Sequence, residues 1–225
     1  MFSIAELPFF KGLAAEYLED LSKIAVEQTH GKGQTLFLEG SKATGFYVIL
    51  SGRIKIYKLS LEGKEQILHI FGPEEFFGEV PVFAGGNYPA HATALESSRV
   101  LFFPRDAFVD LIRKESSLAL NMLAILSKRL RRFTHLIEDL SLKEVPGRLA
   151  AYLLYLSEQN KRLDSFDLDI TKTQLASLLG TIPETLSRIL GKMSQMELIH
   201  VDGRRIKLLD RKALENLASG ERLLA

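Results

Sequence analysis

The sequence predicts an α+β chain in three parts: a sandwich or barrel of short strands, one long helix, and an α-rich C-terminal third that closes on a β-hairpin. Three observations predict it. From about residue 30 to residue 104, glycines recur at Gly31, Gly33, Gly40, Gly45, Gly52, Gly63, Gly72, Gly78, Gly85 and Gly86, and β-rich runs lie between them. From Leu123 to Leu140, apolar residues are spaced alternately three and four apart. Beyond Val145-Pro146-Gly147, a dipeptide-turn signal that predicts a hinge, helical periodicity dominates up to a hairpin-type Asp202-Gly203.

The elements follow in order. Leu13, Tyr17, Leu18, Leu21, Ile24 and Ala25 lie at helical spacing and predict a short helix within residues 12–27. The runs TLFLEG, FYVILSG, RIKIYKL, QILHIF, HATALE and RVLFF then read as strands. Arg53-Ile54-Lys55-Ile56 alternates as a half-buried strand does, which leaves Lys55 and Lys58 on solvated faces. Leu123, Leu126, Leu130, Phe133, Ile137 and Leu140 form a heptad seam, with Lys128, Arg129, Arg131 and Arg132 between them. So narrow a stripe favours a dimer interface over a helix buried within one chain. Met122, Ile125 and Leu136 form a second stripe suited to packing against the helix's own domain. RLAAYLLYLSEQN is a strongly apolar helix, and DLDITKTQLASLLG reads as a short strand followed by a helix. Thr171 and Gln174 have capping-box spacing, and Gly180 closes that helix. TIPETLSRILGKMSQMELI begins another helix one turn later, and HVDGRRIKLLD reads as two strands around Asp202-Gly203.

Composition narrows the function. The chain has 225 residues, 46% of them hydrophobic and 25% charged, with a net charge of +1 and no cysteine. Disulfides, thiolate zinc sites, cysteine nucleophiles and iron–sulfur clusters are therefore excluded. Near-neutral charge means that any nucleic-acid contact has to come from local geometry. The N-terminal stretch carries Glu6, Glu16, Glu19 and Asp20 without a signal layout, and no apolar run nears the roughly 18–20 residues that span a bilayer. A cytoplasmic protein with no membrane partner is expected. No nucleophile–base motif, P-loop, H-E-x-x-H or Rossmann fingerprint suggests an enzyme.

Helix, glycine turn, second helix and hairpin is the order of a winged helix-turn-helix, whose second helix enters the major groove of double-stranded DNA. Glu184, Ser187 and Arg188 share one face near that helix's start. Arg pairs with guanine O6/N7, Glu accepts from a cytosine amino group, and Ser adapts to bases or phosphate. Thr185 and the helix start suit phosphates, and Arg204, Arg205 and Lys207 form a small basic wing. Thr171, Thr173, Gln174 and Pro183 complete the candidate DNA-binding set. Two blander readings compete: Thr181-x-x-Glu184 is itself a capping-box spacing, and the winged helix could serve protein contacts in a ligand-binding or scaffold module.

Taken together, FYVILSGRIKIYK, FGPEEFFGEV, the long helix and TKTQLASLLGTIPETLSRIL resemble the cyclic-AMP receptor protein / fumarate-nitrate reduction regulator (CRP/FNR) superfamily of bacterial transcription factors. The resemblance implies a cyclic-nucleotide-binding-like β-roll (jelly roll) over residues 1–115, a dimerisation helix over 116–142 and a winged helix-turn-helix over 143–225. It further implies a homodimer on a palindromic operator with TTGA-like half-sites, contacts to RNA polymerase, and reading residues at Glu184, Ser187 and Arg188. Pro183 stands where many relatives have Arg, Ser or Val, and a proline side chain cannot hydrogen-bond a base, which leaves the outer half-site open.

The effector pocket implied by the resemblance comprises Gly78, Glu79, Tyr88, Pro89, Ala90 and His91. Cyclic-nucleotide-binding relatives place an Arg for the phosphate where this chain has Pro89, so cyclic AMP is not the expected ligand, and Glu79 is expected to bond turn amides of the roll. The cysteine-free chain with its NYPA segment resembles the DNR and hybrid-cluster-protein regulator (HcpR) branches, which are linked to haem, nitric oxide sensing and anaerobic respiration. Haem would need a ligand among His69, His91 and His135; each also suits a packed or solvated role, as do His30 and His200.

Overall fold

The computed structural model describes residues 4, 7, 10, 12–160 and 163–220. Its contacts divide the chain into two compact units, Met1–Leu130 and Arg131–Ala225.

The first unit is built on two four-stranded antiparallel sheets. After helix α1 (Ala15–Ile24) come β1 (Val26–His30), β2 (Thr35–Phe37), β3 (Gly45–Ser51), β4 (Ile54–Leu59), β5 (Glu65–Phe71), β6 (Phe76–Phe77), the short helix α2 (Val80–Ala84), β7 (His91–Ala94), β8 (Ser98–Pro104) and α3 (Arg105–Lys114). One sheet runs β1-β8-β3-β6 and the other β2-β7-β4-β5. The helix expected over 12–27 stops at Ile24 because Val26–His30 pairs residue for residue with β8, from Val26↔Phe102 to His30↔Ser98. Tertiary pairing outweighs the weak local helical preference there.

Phe37, Tyr47, Ile54, Phe71, Phe77 and Tyr88 fill the space between the sheets. Phe46, Phe76, Phe103 and Phe108 belong to a second core that also takes Leu118 and Met122 from helix α4 (Ser116–Leu142). Ile125 and Leu126 pack against the same core, so Leu126 faces the roll as well as lying on the heptad seam. Leu123, Leu130 and Ile137 are 58, 68 and 64% exposed.

The second unit begins within α4 and continues through α5 (Val145–Gln159), β9 (Ser165–Asp167), α6 (Lys172–Leu178), α7 (Pro183–Gln195), β10 (Ile199–Asp202), β11 (Arg205–Leu208) and α8 (Arg211–Ala218). Val145-Pro146-Gly147, expected as a hinge, instead forms the first turn of α5, where proline's missing N–H costs nothing. The break between α4 and α5 is Lys143-Glu144, with Glu144 extended at ψ 161°. Gly147 is dictated by packing: a Cβ there would meet the Leu217 carbonyl oxygen of α8 at 2.8 Å. The hairpin turn is also shifted by one, since Asp202 pairs with Arg205 and leaves Gly203-Arg204 as the turn. β9 adds a third strand beside β11, in the register Arg205↔Asp167 to Lys207↔Ser165.

Candidate nucleic-acid interface and effector roll

α6 and α7 are joined through Gly180, whose φ of +68° makes a turn that favours glycine. The box at the start of α6 is complete: Thr171 Oγ1 accepts from the Gln174 amide at 3.2 Å, and Gln174 Oε1 accepts from the Thr171 amide at 2.8 Å. Both side chains thus hold the helix end, and Thr173 between them is exposed. The N-cap of α7 is Ile182, extended and without a side-chain cap bond, with Pro183 in the first turn. Glu184 therefore takes no part in the capping box its spacing allowed.

α7 buries Leu186, Ile189, Leu190 and Met193 on one face. The opposite face exposes Glu184, Ser187 and Arg188, while Thr185 is half-buried at its flank. Among the described residues, no side-chain hydrogen bond or ion pair engages Glu184, Ser187 or Arg188. The wing is less basic than its sequence suggests. Arg204 Nε donates to the Leu168 carbonyl at 2.9 Å, Arg205 Nε lies 3.8 Å from Asp167, and Asp167, Asp169 and Asp202 line the cleft these arginines share. Lys207 is exposed on β11.

In the roll, Gly78 sits at φ +75° with Phe37 and Tyr88 crowding the position a Cβ would take, at 3.3 Å each. Tyr88 stacks on Phe37 at 3.8 Å and donates its hydroxyl to the Gly45 carbonyl at 2.8 Å. Burial, with Tyr47 alongside, pushes its phenol well above the usual value. Ala90 is buried and Pro89 exposed.

Glu79 is only 5% exposed, and where bonds to turn amides were expected its carboxylate is held by a cation instead. Its Oε1 accepts from Arg129 of α4 at 2.6 Å. The same guanidinium donates to the Phe76 carbonyl at 2.8 Å and lies 4.7 and 4.6 Å from the ring centres of Phe71 and Phe76. A buried carboxylate needs such a partner. Nothing between Glu79 and Arg99 signals it, because the cation arrives from another element. Lys58, expected on a solvated face, likewise reaches from β4 to the segment expected to form the effector pocket, donating to the Pro89 carbonyl at 2.8 Å and pairing with Glu39.

The three haem-ligand candidates differ in their surroundings. His69 is buried against Phe71 and lies 3.7 Å from Glu75. Burial raises the Glu75 carboxyl, but the His69 and Gly72 hydrogen bonds and the charges of His69 and Arg129 outweigh it and hold it below the ordinary range. His91 Nδ1 accepts from the Glu39 amide at 3.2 Å, and its ring stacks on Tyr57. His135 is exposed on α4, 3.5 Å from Glu138. Among the described residues, no group of three or more His, Asp or Glu side chains is placed to hold a metal ion, and no helix is long and apolar enough to cross a membrane.

Comparison with known proteins covers both units. The cyclic nucleotide-binding domain family matches residues 27–115, and the Crp-like helix-turn-helix domain family matches residues 147–217. The Fumarate and nitrate reduction regulatory protein of Escherichia coli is 33% identical, over 86% of this chain and 79% of that protein. The Cyclic AMP receptor protein of Thermus thermophilus is 30% identical, over 95% of this chain and 97% of that protein. The structure of FixK2 from Bradyrhizobium japonicum superposes with a TM-score of 0.76 at 24% identity, covering 88% of this chain and all of that one, a likeness of fold.

Proposed function

The chain belongs to the CRP/FNR family of DNA-binding transcription regulators, which are not enzymes, and from that premise we propose that it acts in the cytoplasm as a homodimer that reads a palindromic operator through α7. Regulators of this family bind DNA as dimers. The observation that carries the reading is the face of α7: three side chains able to contact bases stand exposed opposite a buried apolar face, with no internal partner among the described residues. Arg188 reads guanine, Glu184 accepts from cytosine, and Ser187 adapts to bases or phosphate. Thr173, Thr185, the backbone around Pro183, Arg204, Arg205 and Lys207 contact phosphates, while Thr171 and Gln174 fix the helix start. Leu123, Leu130, Phe133, Ile137 and Leu140 make the dimer seam, with Leu126 shared between seam and roll. Activation would proceed through RNA polymerase.

The effector reading is finer. Cyclic AMP does not suit this roll: Glu79 is committed to Arg129, Pro89 stands in for the phosphate Arg of cyclic-nucleotide-binding relatives, and Phe37 and Tyr88 stack within the core. Against haem, neither of the two ligand candidates in the roll is open: His69 is packed against Phe71 and His91 is bonded to Glu39. Control of anaerobic-respiration genes is supported by the likeness to the Fumarate and nitrate reduction regulatory protein, while control of nitrosative-stress genes rests on the Asn87-Tyr88-Pro89-Ala90 segment alone. The signal would bias two states of the roll and long helix, and so the spacing of the reading helices.

A gel-shift series on a duplex with inverted TTGA half-sites one turn apart tests the DNA reading. Arg188→Ala should cost about 1–3 kcal/mol on that duplex and relax its preference over scrambled DNA. Arg205→Ala should weaken both duplexes alike and lower the salt slope by about one. Equal loss of specificity in both variants would contradict this division of labour.

A further inference from the structure

Gly191 lies in the interior of α7 with ordinary helical backbone, exposed, and with nothing within 4 Å of the position its Cβ would occupy. Neither a left-handed φ nor a crowded neighbour requires glycine there. A glycine inside a helix is destabilising relative to alanine, through the backbone freedom it loses on folding and the side chain it lacks. The chain thus carries a destabilising residue that its own fold does not ask for.

Its place on the helix is specific. At about 100° per residue, Glu184, Gly191 and Gln195 fall within about 20° of one line, with Ser187 and Arg188 on either side. That line is the crest of the exposed face, opposite buried Leu186 and Met193. Helical side chains lean toward the N-terminus, so a side chain at 191 would lie back over Ser187 and Arg188. Leaving it out lowers the crest and uncovers both of those groups.

We infer that Gly191 is a specificity-determining position at which the major-groove surface of duplex DNA comes into van der Waals contact with the α7 backbone, letting Ser187 and Arg188 reach the base edges. The inference rests on the DNA-reading role of α7 and identifies where the closest approach occurs. A cavity-free contact of this kind adds dispersion and excludes water along the crest, and it is lost in steps as the side chain grows.

The test compares full-length wild type, Gly191→Ala and Gly191→Leu for thermal melting and for affinity to two probes, the inverted TTGA duplex and a scrambled duplex of the same composition. Gly191→Ala should melt at higher temperature than wild type and yet bind the palindrome at least ten-fold more weakly, with the scrambled duplex almost unaffected. Gly191→Leu should lose the remaining preference. Stability and specific affinity moving in opposite directions is a result that a merely structural glycine would not give. Palindrome affinity unchanged in both variants would overturn the inference while leaving the DNA reading intact. Wild type failing to prefer the palindrome would overturn the DNA reading and this inference with it.

Discussion

Glu79 and Arg129 are fifty positions apart and form the most buried ion pair in the roll among the described residues. A buried pair adds little over a well-packed apolar pair, but removing one member strands the other charge. Glu79→Gln should therefore lower the unfolding free energy by about 3 kcal/mol, read by urea titration, whereas joint replacement with Glu79→Leu and Arg129→Met should recover much of the loss. A single-variant loss below measurement error would show the pair to be idle. Glu75 makes a second, pH-dependent contribution. Its folded carboxyl titrates below its ordinary 4.5, so the stability it adds is present above that value and is lost as pH falls through the lower folded one. Glu75→Gln should flatten the acid limb of the stability profile below pH 4.5; parallel limbs would contradict this. Neither role was legible in the sequence. Arg129 sits among Lys128, Arg131 and Arg132, where a charge reads as solvent-facing, and only the fold turns it inward. The side chain of Arg132 lies outside the described residues.

At the scale of single elements, legibility followed the range of the interaction. The Thr171–Gln174 box needs three residues of spacing and forms as its pattern says. Thr171→Ala should destabilise the second unit by about 1 kcal/mol in a thermal melt, and an unchanged melting temperature would remove the cap from the explanation. The strands of both sheets were largely visible as glycine-bounded runs. β1 was not, because what makes Val26–His30 a strand is its pairing with β8, which begins only at Ser98. Nor was α8, although Asp210, whose side chain accepts from the Ala213 amide at 2.9 Å, is the kind of N-cap signal that would have found it. The hairpin turn moved by one residue because β11 takes its register from both β10 and β9, and tertiary pairing outweighs the Asp-Gly preference. Gly147 looked like part of a flexible joint, yet it marks a close approach to α8. Gly147→Ala should force that contact apart and destabilise the unit, and a neutral effect would show that α8 yields freely.

For the whole molecule, the long helix was the clearest message, since an apolar repeat carries over many turns. What the repeat left open is which residues serve the roll and which a second copy. Met122, Ile125 and Leu126 pack onto the roll, while Leu123, Leu130 and Ile137 stay exposed along the helix. Leu123→Glu with Leu130→Glu should yield a folded monomer by sedimentation and abolish binding to the palindrome, because one reading helix cannot span two half-sites about 34 Å apart. A dimer that survives both changes would place the interface elsewhere.

The reading role of α7 is tested most directly by selecting binding sites from a duplex pool with a randomised centre, using wild type and Arg188→Ala in parallel. Wild type should enrich an inverted repeat, and the variant should lose one base position symmetrically in each half-site while keeping the others. Enrichment of an identical repeat by both proteins, or of no repeat by wild type, would contradict the assignment of Arg188 and its helix to the DNA.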